Sequence, residues 1–233
     1  GILICCIHFK SSKCTIKFKP IPLSVKRLFH SCHVGISSFV AELSSGVITI
    51  VFNMVILSIA GNIGVAAYGV VANTSLVAVS LFNGIAQGSQ PLISDSYGKG
   101  ELKNVIYLIK LAITTSLFVA VFLIIGVYFG APSITAVFNS EKNPLLANYA
   151  ISGLRIYFTG FIFAGINIVG SSILSSVESA RFAFAASIMR GFAAITFFAF
   201  LLSKMFGLTG VWSAFPAAEL LTLFVTAYGL FKI

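Results

Sequence analysis

Charge is what this sequence has least of. Asp, Glu, Lys and Arg together supply 9% of its 233 residues, against roughly 25% in a soluble domain, and that shortage excludes an ordinary globular protein. Cysteine is sparse and confined: Cys5, Cys6, Cys14 and Cys32 all precede the first full apolar run. They sit among lysines on what we read as the cytoplasmic side, where thiols stay reduced. His30, Cys32 and His33 lie close together, but their spacing fits no zinc finger and no second compact pair closes a site, so no metal is expected. Catalytic patterns are missing too. There is no HExxH, no GxSxG and no pair of aspartates in facing apolar segments, so an enzyme working inside a membrane would lack its reacting groups. The Gly98-Lys99-Gly100 triplet lacks the remainder of a phosphate-binding loop and reads as a turn. No repeat of 20 to 50 residues is visible.

What is present is apolar. Hydrophobic residues make up 58% of the chain, and the mean hydropathy is +1.03. The net charge of +9 does not point to nucleic acid, because the basic residues fill the gaps between apolar runs, where they mark the cytoplasmic face of a membrane protein.

Six runs are long enough to cross a bilayer, whose hydrocarbon core takes about 20 helical residues. They are Val34 to Ala60, Val65 to Ile93, Asn104 to Gly130, Tyr149 to Ser172, Arg181 to Lys204 and Val211 to Leu230. Residues 1–9 are apolar but too short to span, and the basic residues follow them rather than precede them, so they read as the tail of an earlier transmembrane helix. Residues 10–33 then form a basic connector with Lys10, Lys13, Lys17, Lys19, Lys26 and Arg27, extended at Pro20 and Pro22 and partly amphipathic. Gly61-Asn62-Ile63-Gly64 and Gly207-Leu208-Thr209-Gly210 are tight turns on the far side, as is the longer loop from Ala131 to Asn148. This alternation leaves Lys142 and Lys204 as the basic residues clearly outside. The expected topology is a multi-pass protein of the cell membrane with both ends cytoplasmic, a six-helix lobe from residue 34 to 233.

Two of the runs carry polar stripes. Around the first helix, Ser38, Glu42, Ser45, Gly46, Thr49 and Asn53 fall within an arc of about 100°. In the second, Asn73, Ser80, Asn83, Gln87, Gln90 and Ser94 share a similar arc. A helix facing only lipid gains nothing from such a stripe, and an acid at the bilayer centre costs about 3 kcal/mol on the mildest scales. The stripes therefore face other helices or a water-filled cavity. For Glu42 the alternative is a place near the cytoplasmic interface, reaching headgroups; for the amides it is simple interhelical bonding. The third run has few polar groups and is expected to be the most lipid-exposed. The fourth carries Arg155, Gly160, Gly165, Asn167 and Gly170, small residues that permit close helix approach. Arg190 lies inside the fifth, and Glu219, Thr222 and Thr226 share a face of the last, with Trp212 expected near the interface.

Gly35-Ile-Ser-Ser-Phe-Val-Ala-Glu42-Leu-Ser-Ser-Gly46 followed by Phe52-Asn53 resembles the seventh helix of multidrug and toxin extrusion (MATE) exporters. Val65-Ala-Ala-Tyr-Gly-Val with Asn73 resembles the eighth. Gln87-Gly-Ser-Gln-Pro-Leu-Ile-Ser-Asp-Ser-Tyr-Gly98 is similar to its end in the Gram-positive, MepA-like branch, and Gly207-Leu-Thr-Gly-Val-Trp212 with Pro216 and Glu219 is similar to the start of the twelfth. The resemblance implies an all-α membrane fold of twelve helices in two lobes, of which this chain would be the C-terminal one, so that an N-terminal six-helix lobe is the missing partner. It also implies a secondary antiporter that expels amphipathic or cationic compounds in exchange for Na⁺ or H⁺, with no other cofactor. On that mapping Glu42 is the coupling or substrate-binding acid, and Ser38, Thr49, Asn53, Asn73, Asn83, Gln87, Asn167 and Glu219 line the path. Some family members pair the helix-seven acid with an aspartate in helix ten, and here no acid lies between Tyr149 and Ser172. Two other readings stand beside this one. A flippase of lipid-linked oligosaccharides would need a strongly cationic cavity, for which only Arg155 and Arg190 are available inside spans. A half-transporter inactive by itself is the other.

Overall fold

The computed structural model describes residues 24–177 and 179–232, and leaves the side chains of several residues in the first helix, Ser38 and Glu42 among them, outside the described set. The chain divides into two compact units, Gly1–Gly35 and Ile36–Ile233, and the packing of the lobe is that of the second. Among the described residues the secondary structure is helical, with no strand. In order these are α1 (Val25–Gly98), α2 (Leu102–Phe138), α3 (Pro144–Tyr157), a 3₁₀ turn (Phe158–Gly160), α4 (Phe161–Ser176), α5 (Ala180–Ile188), a π turn (Met189–Ala193) and α6 (Ala194–Phe231). The first helix thus begins at Val25, ahead of the expected Val34.

Four stretches are long and apolar enough to cross a membrane, not six: Gly46–Gly98, Leu102–Phe138, Pro144–Ser176 and Arg181–Phe231. The first and last hold 53 and 51 residues. Straight, each would reach on the order of 80 Å, far beyond the roughly 30 Å of hydrocarbon. Neither is straight. Gly61 has φ 63° and ψ −159° and interrupts α1; Gly207 has φ 57° and ψ −134° and interrupts α6. The rings of Phe52 and Tyr68 lie 5.3 Å apart, where a straight helix would hold them about 24 Å apart. The chain therefore doubles back at Gly61. It does so again at Gly207, since a side chain on Gly210 would run into the carbonyl of Leu202. Each is a pair of arms, 25–60 with 62–98 in α1 and 181–206 with 208–231 in the last stretch. Six apolar segments result, joined at these two places by a single glycine rather than a loop.

The other connections are short. The segment from Ala131 to Asn148, expected to be a loop, is mostly helical: Pro132 sits inside α2, and only residues 139–143 lie outside helices. Asn143 starts α3, its Oδ1 accepting from the backbone N–H groups of Leu145 at 2.9 Å and Leu146 at 3.3 Å. Pro144 follows at the first helical position, where the lost N–H has no partner to miss. Between α1 and α2, Gly100 turns with φ 74°. There Lys99 donates to Asp95 at 2.6 Å, a pairing that raises the pKa of the ammonium.

The crossing made by α3, the 3₁₀ turn and α4 is the most buried, and its glycines explain how. A Cβ at Gly165 would stand 2.6 Å from the Phe82 ring, and one at Gly170 would stand 2.5 Å from the Thr226 methyl. Tyr157 stacks on Phe215 with ring centroids 4.1 Å apart. Trp212, expected near the interface, is buried among these rings, stacked over Tyr68 at 6.3 Å. Lipid is as apolar as leucine, so these groups are held by close packing rather than by transfer from water. Phe118, Phe122 and Phe129 on α2 are each more than two-thirds exposed, as the expected lipid-facing span requires. The first hairpin shares that low burial, so α2 is not alone in it.

Candidate substrate and ion site

The second arm of α1 carries three faces. Ala67, Val71, Ala78, Phe82, Ala86 and Ile93 are buried and point into the lobe. Leu81 and Leu92 are exposed and apolar. Between these faces, Asn73, Ser80, Asn83, Gln87 and Gln90 form an exposed polar strip. An amide leaves its own helix unsatisfied unless it bonds back or meets water or another chain. Asn73 bonds back, its Nδ2 donating to the Gly69 carbonyl at 2.8 Å, and the Ser80 hydroxyl donates to the Leu76 carbonyl at 2.8 Å. The rest of the strip is an open polar wall on an apolar lobe.

On the facing arm, Thr49 is exposed and hydrogen-bonded to the side chain of Tyr68. Asn53 is half-buried. Glu42 and Ser38 lie on helical backbone with side chains outside the described residues, as do those of the His30, Cys32 and His33 group.

Asn167 and Glu219 are not on the wall at all. Both are buried within the lobe, at 0% and 2% exposure. Asn167 Nδ2 donates to the Glu219 backbone carbonyl and to its Oε2, both at 2.8 Å. On the other side Arg190 donates to Oε1 of the same carboxylate through Nη2 at 2.7 Å and Nε at 3.0 Å. Arg190 reaches this point from the π turn, where the Ala194 N–H bonds the Met189 carbonyl and one extra residue is accommodated in the helix. Thr222 and Thr226 follow along α6, buried, each donating its hydroxyl to the carbonyl one turn back. Arg190 joins this cluster although its sequence gave it no site role. Its position inside an apolar run was the available signal, since intramembrane charges pair with one another. Arg155 sits elsewhere, its guanidinium donating to the Tyr128 carbonyl at 3.2 Å and stacking over the Tyr128 ring.

Chemically the two places differ. The wall offers neutral amide and hydroxyl groups beside apolar surface, suited to an amphipathic molecule that needs a few polar contacts. The buried cluster offers a carboxylate whose charge is already matched.

Comparison with known proteins agrees with this architecture. The MatE family model matches residues 38–200. The chain is 25% identical over 236 aligned positions to the multidrug export protein MepA of Staphylococcus haemolyticus (strain JCSC1435), an alignment spanning 97% of this chain and 50% of that protein. It superposes on an outward-facing multidrug resistance MATE transporter with a TM-score of 0.89 at 17% identity, covering 99% of this chain and 52% of the other. For an inward-facing MATE structure the TM-score is 0.81 at 18% identity, with 99% and 54% covered. A transporter of the MOP superfamily from Pyrococcus furiosus, described as having a binding pocket of reversed polarity, gives 0.88 at 17% identity, with 99% and 52% covered. The chain spans about half the length of these relatives. With a family model covering well over half of its residues and a helical lobe of the same fold, this chain belongs to the MatE family of membrane transporters.

Proposed function

We propose that this chain forms one lobe of a secondary antiporter that exports amphipathic or cationic drugs in exchange for Na⁺ or H⁺, by alternating access across the cell membrane. The observation that carries the reading is the open polar wall of Asn83, Gln87 and Gln90 on a lobe otherwise made for lipid and for itself. Such a wall is stable only against a second lobe or a wet cavity. A drug passing between two lobes would meet these amides beside exposed apolar side chains such as Leu81 and Leu92. MepA, which is named for multidrug export, supports the substrate class.

Antiport needs a group that a coupling ion and a cationic substrate can occupy in turn, and a carboxylate in a low-dielectric cavity does this. Glu42 is our assignment for that group, with Ser38 and Asn53 on the same arc of its helix. The positions of the two intramembrane arginines favour drug export over oligosaccharide flipping. Arg190 is bound to Glu219 inside the lobe and Arg155 to the Tyr128 carbonyl, so neither lends charge to the wall.

The test is transport in proteoliposomes carrying the full-length protein, with a fluorescent cationic dye as substrate and imposed Na⁺ or H⁺ gradients. Gradient-driven dye export is expected, and Glu42→Gln is expected to abolish it while leaving expression and folding intact. Export that persists unchanged in Glu42→Gln removes this acid from the mechanism. No dye movement with either gradient removes the drug-antiport reading.

A further inference from the structure

We propose that Arg190 is a built-in counterion, filling at Glu219 and Asn167 the place that a mobile monovalent cation would otherwise take. The carboxylate is almost wholly buried, and both of its oxygens are engaged: Oε1 by the Arg190 fork and Oε2 by Asn167. A lone carboxylate at this depth would take a proton or a cation to remain there. The guanidinium does the same from a side chain, brought in by the π turn.

What surrounds the carboxylate suits a cation better than the sequence pattern alone suggests. Asn167 Oδ1 and Ser171 Oγ, one helical turn apart on α4, are buried and have no hydrogen-bond partner among the described residues. Asn167 Oδ1 belongs to a side chain already bonded to Glu219 and is a hard oxygen donor, the kind that holds Na⁺ or K⁺. Arginine supplies charge and hydrogen bonds to the carboxylate, while Asn167 Oδ1 is left without a bond among the described residues. The site is therefore a latent one. While Arg190 is present it is closed, and Glu219 is withdrawn from ion exchange. That consequence for transport rests on the exporter reading above; the binding itself does not.

The experiment reads binding through stability, without transport. The purified full-length protein in detergent is unfolded by heat in sodium, potassium or choline chloride at equal ionic strength. Four proteins are compared: wild type, Arg190→Ala, Arg190→Met, which keeps the apolar bulk without the charge, and Arg190→Ala with Glu219→Gln. Any cation dependence of the wild type reports other sites and is the baseline. Both single variants are expected to unfold at lower temperature in choline and to regain several degrees in sodium or potassium, as ligand binding to the native state requires. The double variant is expected to show only the wild-type dependence. Single variants that respond to cations no more than the wild type overturn the proposal, as do variants that no cation restores to a folded state. A response that survives Glu219→Gln overturns it as well. Because dye export is not measured, loss of the antiport reading leaves this result standing, and the converse holds.

Discussion

Glu219 receives hydrogen bonds from two side chains, Arg190 and Asn167, and is therefore expected to be sensitive to substitution. Glu219→Gln leaves the partly exposed guanidinium without a counter-charge, and breaking a fully buried pair from one side costs about 3–5 kcal/mol, an upper bound here. Ser171→Ala is expected to change stability by less than about 1 kcal/mol, because the hydroxyl it removes makes no bond. Thermal unfolding of the two variants side by side checks the contrast; equal losses would mean that the pair carries no special weight. The sequence marked Asn167 and Glu219 by type, as polar groups in apolar spans, and it marked Arg190 as a charge inside a span. Their meeting was not legible. It depends on how α4 and α6 are rotated about their axes, and on a π turn that advances Arg190 by one residue against the regular helical register. The bond between Thr49 and Tyr68 on the returning arm was equally illegible, since it depends on how the two arms face each other.

At the scale of elements, the two glycine reversals decide the architecture. Their positions were legible from Gly61-Asn62-Ile63-Gly64 and Gly207-Leu208-Thr209-Gly210, but not their tightness. The backbone of Gly61 lies in a region that only glycine occupies without strain, and other residues pay about 1–3 kcal/mol there. Gly61→Ala is therefore expected to lower stability by about that amount although a methyl there meets no neighbouring atom within 4 Å. Gly69→Ala, on the same arm in helical geometry with equally open space, serves as the control and is expected to be neutral or slightly stabilising. Comparable unfolding temperatures for the two would show that the reversal is not backbone-limited. The loop expected from Ala131 to Asn148 is shorter in the structure, because α2 runs on through Pro132 to Phe138. Within α2 the proline gives up one N–H bond that packed helices in a membrane tolerate.

For the whole molecule, hydropathy alone was enough to give the class, the side-chain periodicity enough to give the polar wall, and short motifs enough to give the family. Depth and helix rotation were not available, so buried and wall-lining polar residues could not be told apart: Asn83 and Asn167 look alike in the sequence and face different media in the fold. That distinction is measurable in the full-length protein. In a cysteine-free background, Asn83→Cys and Gln87→Cys are expected to react with a membrane-impermeant maleimide, while Phe122→Cys, on the lipid face of α2, is expected to resist it. Equal labelling at all three would remove the wet wall. The doubling back at Gly61 and Gly207 has one more effect. Together with residues 139–143 these are the connections on one side of the lobe, and two of the three are a single residue long. Antibodies, proteases and inserted tags need protruding chain to grip, so among the described residues on that side the short segment around Lys142 is where they would act.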